Sequence, residues 1–144
     1  MSSVVFRVFV FSWVSWLAAA GLSAQTPRTV EKGDQSNIDN ARQVVVRDAA
    51  QWRALWQQHA PDRPMPAIDF SKESVVAVFL GSKPTAGYNV SILSTTEGGG
   101  ELVVKYRETR PAAGTMTAQV LMFPYHIVAI PKVSAANVKF EKAE

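Results

Sequence analysis

One stretch, residues 75–92 (VVAVFLGSKPTAGYNVSI), constrains the fold more than any other part of the chain. Its first half, 75–80, is continuously apolar and rich in β-branched residues, the pattern of a strand covered on both faces. Its second half alternates, with Tyr88, Val90 and Ile92 on one side and Asn89 and Ser91 on the other. Between them Pro84 fixes its own φ and pushes Lys83 out of the helical region, while Gly81 and Gly87 admit positive φ. The expectation is a β-hairpin whose shaped loop spans 81–87. Loops held by rigid strands often carry recognition, and this one contains no nucleophile beside a base.

The segments around it supply one helix and further strands. Residues 44–46 are three valines, a short strand; Asp48 then stands at a capping position, with Gln51 three residues on. Trp52, Leu55 and Trp56 fall at i, i+3 and i+4, one apolar stripe of a helix over about 49–59 that Pro61 terminates. The two tryptophans are expected to anchor the helix to a sheet. Phe70 is expected beneath it, and His59 is expected to act as a favourable charge at the helix C-terminus. Residues 25–40 are polar and aperiodic, a flexible arm. Residues 94–100 end in three glycines and read as a flexible turn. Residues 102–107 alternate with Leu102, Val104 and Tyr106 inward; 125–130 form another strand, and 138–140 a short edge strand. The predicted fold is α+β: a mainly antiparallel β-sheet, or a partly open barrel or sandwich, with one packed helix.

Residues 1–24 carry one charge, Arg7, then an uncharged apolar run ending in small residues, the layout of a secretory signal peptide. Cleavage is expected after Ala24, with Ala20 as the alternative, leaving an arm (25–40) and a domain (41–144). The uncharged run from 8 to 24 reaches only the lower end of the roughly 17–25 residues a spanning helix needs. No stable membrane insertion is therefore expected after cleavage, and the mature chain is expected in the periplasm or outside the cell. The chain has no cysteine, which excludes disulfides, thiolate chemistry and a lipoprotein anchor. Its net charge is +3 with basic residues scattered, which does not make a nucleic-acid footprint.

Chemistry is sparse. Apart from the leader the chain has His59 and His126, and no G-x-S-x-G elbow surrounds a serine. The two histidines and scattered acids lack metal-ligand spacing, and the glycines at 98–100 lack the Lys-Ser/Thr of a phosphate loop. No catalytic residue, metal or cofactor is expected. Two patches place an aromatic beside a proline: Lys83-Pro84-Thr85-Ala86-Gly87-Tyr88, and Pro124-Tyr125 within Phe123–His126. Two readings stand: the favoured one makes Tyr88 and Tyr125 cross-strand core neighbours with the prolines setting strand ends, and the other makes the two patches one protein-binding edge. Asp48, Trp52, Trp56, Phe70, Phe79 and Gly81 read as structural, with Phe79 and Tyr88 facing the tryptophan helix.

In these residues the chain resembles the PrcB C-terminal domain family. The resemblance rests on Asp48, Trp52 and Trp56, on Asp69-Phe70-Ser71-Lys72, and on the 75–92 stretch, where the family writes Thr-Gly-Gly-Tyr and this chain has Thr85-Ala86-Gly87-Tyr88. It continues through 102–104, Pro111 and 124–132, and covers about residues 40–142. It implies an exported, non-catalytic domain that associates with, and stabilises, an extracytoplasmic protease or another envelope protein. A second, weaker similarity is to chagasin-like protease inhibitors, through 83–88, the glycines 98–100 and Arg110-Pro111. Here Lys83 stands in place of Asn, and Ala112 in place of an aromatic. A small-ligand-binding envelope protein is the third reading, with aromatics near the loop lining a pocket.

Overall fold

The computed structural model describes residues 26–144; the leader lies outside the described residues. Seven strands and one helix follow in the order β1 (Arg28–Gly33), β2 (Arg42–Val46), α1 (Ala49–His59), β3 (Glu73–Phe79), β4 (Asn89–Gly98), β5 (Glu101–Thr109), β6 (Tyr125–Pro131) and β7 (Asn137–Ala143). They form a four-stranded sheet, β1-β6-β3-β2, and a three-stranded sheet, β4-β5-β7. All pairings are antiparallel except β5 with β7, which is parallel. The helix covers one face of the larger sheet and the smaller sheet covers the other. The result is an open α/β/β stack, the expected α+β class.

Strand β3 explains the stack. Its register faces Val75, Ala77 and Phe79 toward α1, where they pack with Trp52, Leu55 and Trp56. Val76, Val78 and Leu80 face the smaller sheet and pack with Val90, Ile92, Leu102 and Val104. A continuously apolar strand is therefore the shared wall of two cores. The helix begins as the sequence predicts: Asp48 Oδ1 accepts the Gln51 N–H at 2.8 Å, and Gln51 Oε1 reaches back to the Arg47 N–H at 2.9 Å. The tryptophans also hold the Pro-rich connection, Trp52 Nε1 donating to Pro66 O and Trp56 Nε1 to Arg63 O. Phe70 packs against the same core, half-buried.

Several expectations are corrected. Residues 75–92 are not a hairpin: β3 pairs with β2 and β6, β4 pairs with β5, and 80–88 is a crossover between sheets. The described part of the expected arm, residues 26–40, is not loose, because Arg28–Gly33 pairs with β6, and Ser36 and Ile38 are buried. Residues 94–98 extend β4, leaving a tight turn at Gly99 and Gly100, both at positive φ with open space around them. Tyr88 is not part of the core beneath the tryptophan helix; it is half-exposed, with the Lys83 ammonium over its ring.

Candidate functional site

The crossover loop is stitched down on both sides. Gly81 is buried at φ +77, and a Cβ there would meet Ala41 N at 2.7 Å and the Asn40 carbonyl carbon at 2.9 Å. Only glycine permits that approach. Ser82 N–H then donates to Asp39 O, while Lys83 exchanges backbone bonds with Met122 at 2.7 and 2.9 Å. Ala86 N–H donates to Ala118 O, and a Cβ on Gly87, at φ +98, would lie 2.9 Å from Pro111 Cβ. The ammonium of Lys83 sits 5.4 Å over the Tyr88 ring and 3.6 Å from Glu108 Oε1. Hydrogen bonding from Lys142, with the charges of Lys83 and Arg110, holds the Glu108 carboxyl below the usual range against the opposing effect of burial.

This anchoring leaves Pro84 exposed, with Thr85, Ala86 and Tyr88 half-exposed. Beside them runs the irregular segment 110–124, which carries the residues the sequence reading missed. Met116, Val120 and Leu121 are 99%, 49% and 59% exposed, on the segment that Ala86 and Lys83 pair with. Large apolar side chains exposed on one short segment beside a fixed loop make this segment a candidate interaction surface. The signal was present as an apolar run (TMTAQVLMF) with neither strand nor helix period between Pro111 and Pro124.

Pro124 and Tyr125 do not join this surface. Both are buried: Pro124 is among the most enclosed side chains, and Tyr125 is 3% exposed. Tyr125 belongs instead to a polar cluster beneath the end of α1. Its hydroxyl donates to Glu31 Oε1, which also receives Arg63 at 2.7 Å and His59 Nε2 at 3.0 Å. On its other nitrogen, His59 Nδ1 lies 2.7 Å from Ser36 Oγ. Burial pushes the Glu31 carboxyl up, but bonds from Tyr125 and His59 and the charge of Arg63 outweigh it and hold it below the ordinary range. Burial lowers His59 and outweighs the raising pull of Glu31, so this ring is neutral and not the helix-end charge expected from sequence. Burial, then the bond to Glu31, lifts Tyr125 to about 12.

Ser36, His59 and Glu31 thus stand in the order of a hydrolytic triad, yet the surroundings are those of a structural joint. Ser36 is 4% exposed, and its Oγ accepts the Ile38 N–H at 3.1 Å. The neighbouring N–H groups are occupied, Ser36 bonding Phe123 O and Asn37 bonding His59 O, so none is left to stabilise an oxyanion. Glu31 is shared with Arg63 and Tyr125. The cluster ties β1, α1 and β6 together. Among the described residues no group of three or more His, Asp or Glu could hold a metal ion, and no helix is long and apolar enough to cross a membrane.

Of the three motifs echoing the inhibitor loops, two converge, since Gly87 abuts Pro111. The third does not. Asn89 pairs with Thr109 at one end of the β4–β5 hairpin and Gly98 with Glu101 at the other. At ~3.3 Å per residue the glycine turn stands roughly 30 Å away. Residues 74–131 match the family model described as PrcB C-terminal, a span narrower than the resemblance and running from β3 through β6. No curated protein and no solved structure matches the chain.

Proposed function

We propose that this chain, whose residues 74–131 belong to the PrcB C-terminal family, is a non-catalytic protein-binding domain acting outside the cytoplasm as an accessory or stabilising subunit of a protease. The observation that carries this reading is the exposed apolar group Met116, Val120 and Leu121 beside the anchored crossover loop. Both segments lie within the family match, so the surface is built from the part of the chain that defines the family. Side chains of this size in water favour burial against a partner by about 25 cal/mol per Å² of apolar area removed. A leader of the secretory layout supports an extracytoplasmic partner.

The inhibitor reading requires three loops on one edge, and the hairpin separates one of them from the other two. A small-ligand reading draws little support from the cavity of about 450 Å³ beside Tyr88, because that reading needs clustered aromatics and Tyr88 is the one aromatic among its described lining residues. The test is photo-crosslinking in the producing cells from a reactive residue at Leu121 and, separately, at Pro84. The expected result is an adduct with an extracytoplasmic protease from both positions; absence of an adduct from either would overturn the reading.

A further inference from the structure

The four sheet edges are not equivalent. On β1 the register shifts between Thr29 and Glu31 and the strand carries Arg28, Glu31 and Lys32; β4 has a shift between Ile92 and Ser94. Strand β7 presents Lys139, Glu141 and Lys142. Bulges and charges of this kind keep an edge from pairing with another chain. Strand β2 has neither device along its middle. It reads Gln43-Val44-Val45-Val46, pairs with β3 without a register shift, and among the described residues no backbone hydrogen bond reaches it from outside its sheet. Beside its edge a shallow groove of about 230 Å³ is lined by Val44, Val46, Ala54, Leu55 and Gln58.

The residues along this edge are complementary to themselves. Asp48 continues β2 in extended geometry, φ −146° and ψ 167°. An antiparallel copy centred on Val45 sets Val44 against Val46 and Arg42 against Asp48, each twice. Directly opposed residues share a face, and opposite charges there are favourable. Both groups have unused capacity. Among the described residues Arg42 bonds only the neutral Gln58, at 2.5 Å, and the exposed Asp48 carboxylate has one oxygen engaged in capping Gln51. The helix flank above the edge is exposed and uncharged, Gln51, Ala54 and Gln58, with the small Ala54 at its centre.

We infer that the β2 edge is the interface of a two-fold dimer, in which β2 pairs with β2 of a second copy of this chain. The two four-stranded sheets become one continuous sheet, and the two α1 helices lie side by side across the axis. Its Arg42 end lies beside the crossover loop, Arg42 and Lys83 lining one cavity, but the inference does not depend on the protease reading.

Sedimentation of the purified protein from about 1 to 100 μM tests it, with circular dichroism confirming the fold of each variant. The wild type is expected to dimerise. Arg42→Glu, which sets a carboxylate against Asp48, and Ala54→Glu, which sets two carboxylates across the axis, should each weaken the dimer at least ten-fold. Lys139→Glu on the β7 edge should leave it unchanged. Asp48→Lys should also be monomeric, yet mixing it with Arg42→Glu restores both charge pairs and should restore a dimer. A wild-type monomer throughout this range, or a dimer indifferent to both Arg42→Glu and Ala54→Glu, would overturn the inference.

Discussion

His126 Nδ1 accepts the backbone N–H of Ile92 at 2.8 Å, so one imidazole on β6 joins the larger sheet to β4 of the smaller one. Its Nε2 lies 2.9 Å from Thr29 Oγ1, which extends the same link to β1. The bond from Ile92 requires a neutral ring with Nδ1 bare, and the proton on Nε2 then points to Thr29.

Burial, with a further contribution from Lys32, lowers His126 to about 4. In an unfolded chain a histidine titrates near 6.5. Between about 4 and 6.5 the unfolded state therefore binds more protons, and stability rises with pH across that window. His59 is lowered as well and adds to the slope in the same direction. Urea midpoints measured from pH 4.5 to 7.5 should climb and then level off above about 6.5. His126→Asn should remove up to one proton's share of that slope, ~1.4 kcal/mol per pH unit. A variant slope equal to the wild type would show that His126 is not the titrating link.

Tyr125 was read from sequence as a contact residue, and its burial against Glu31 leads to a different expectation. Tyr125→Phe removes a donor from a carboxylate that keeps Arg63 and His59. Stability should fall by about 1.5–3 kcal/mol, the range for a hydrogen bond to a charged group, with binding at the crossover loop unchanged in the folded fraction. Equilibrium urea unfolding measures the first effect. No loss of stability would mean that the hydroxyl does not hold the cluster together.

Much of the architecture was legible because it is locally encoded. The run at 75–80 announces a strand buried on both faces, and Asp48, Gln51 and the tryptophan spacing announce α1 within its observed bounds. What was not legible depends on distant partners. Pro84 with Gly81 and Gly87 punctuates a chain reversal and a sheet-to-sheet crossover equally well; the difference lies in what β4 pairs with, and that partner is β5. Strand β1 was hidden because an edge strand rich in charge looks like a linker. The His59 cluster was hidden because Glu31 and Ser36 lie 28 and 23 residues away in sequence, and only the β1–β6 pairing brings them to the helix end.

Gly81 and Gly100 share φ +77 and differ in surroundings. A methyl on Gly81 meets the backbone of residues 40 and 41, whereas one on Gly100 meets nothing within 4 Å. Gly100→Ala should cost about 1–2 kcal/mol, the left-handed penalty alone. Gly81→Ala adds a backbone clash and should cost clearly more, releasing the 80–83 segment from residue 39. Thermal unfolding of the two variants side by side decides this, and equal losses would remove the close approach from the account of the crossover.

The last expectation separates the exposed surface from the fold that carries it. Leu121→Asp and Val120→Asp change side chains that are 59% and 49% exposed, so their effect on stability should stay within about 0.5 kcal/mol. Trp52, at 2% exposure, fills the core beneath α1 and gives up a hydrogen bond to Pro66 when truncated. Trp52→Ala should therefore cost about 3–5 kcal/mol. Binding should reverse that order: the aspartates should abolish the crosslink from Pro84 while the protein remains folded, because a charge replaces the apolar area a partner would cover. Trp52→Ala should reduce the crosslink only in proportion to the fraction unfolded. If both aspartate variants crosslink as the wild type does, the apolar strip is not the contact surface and the proposed mode of association fails with it.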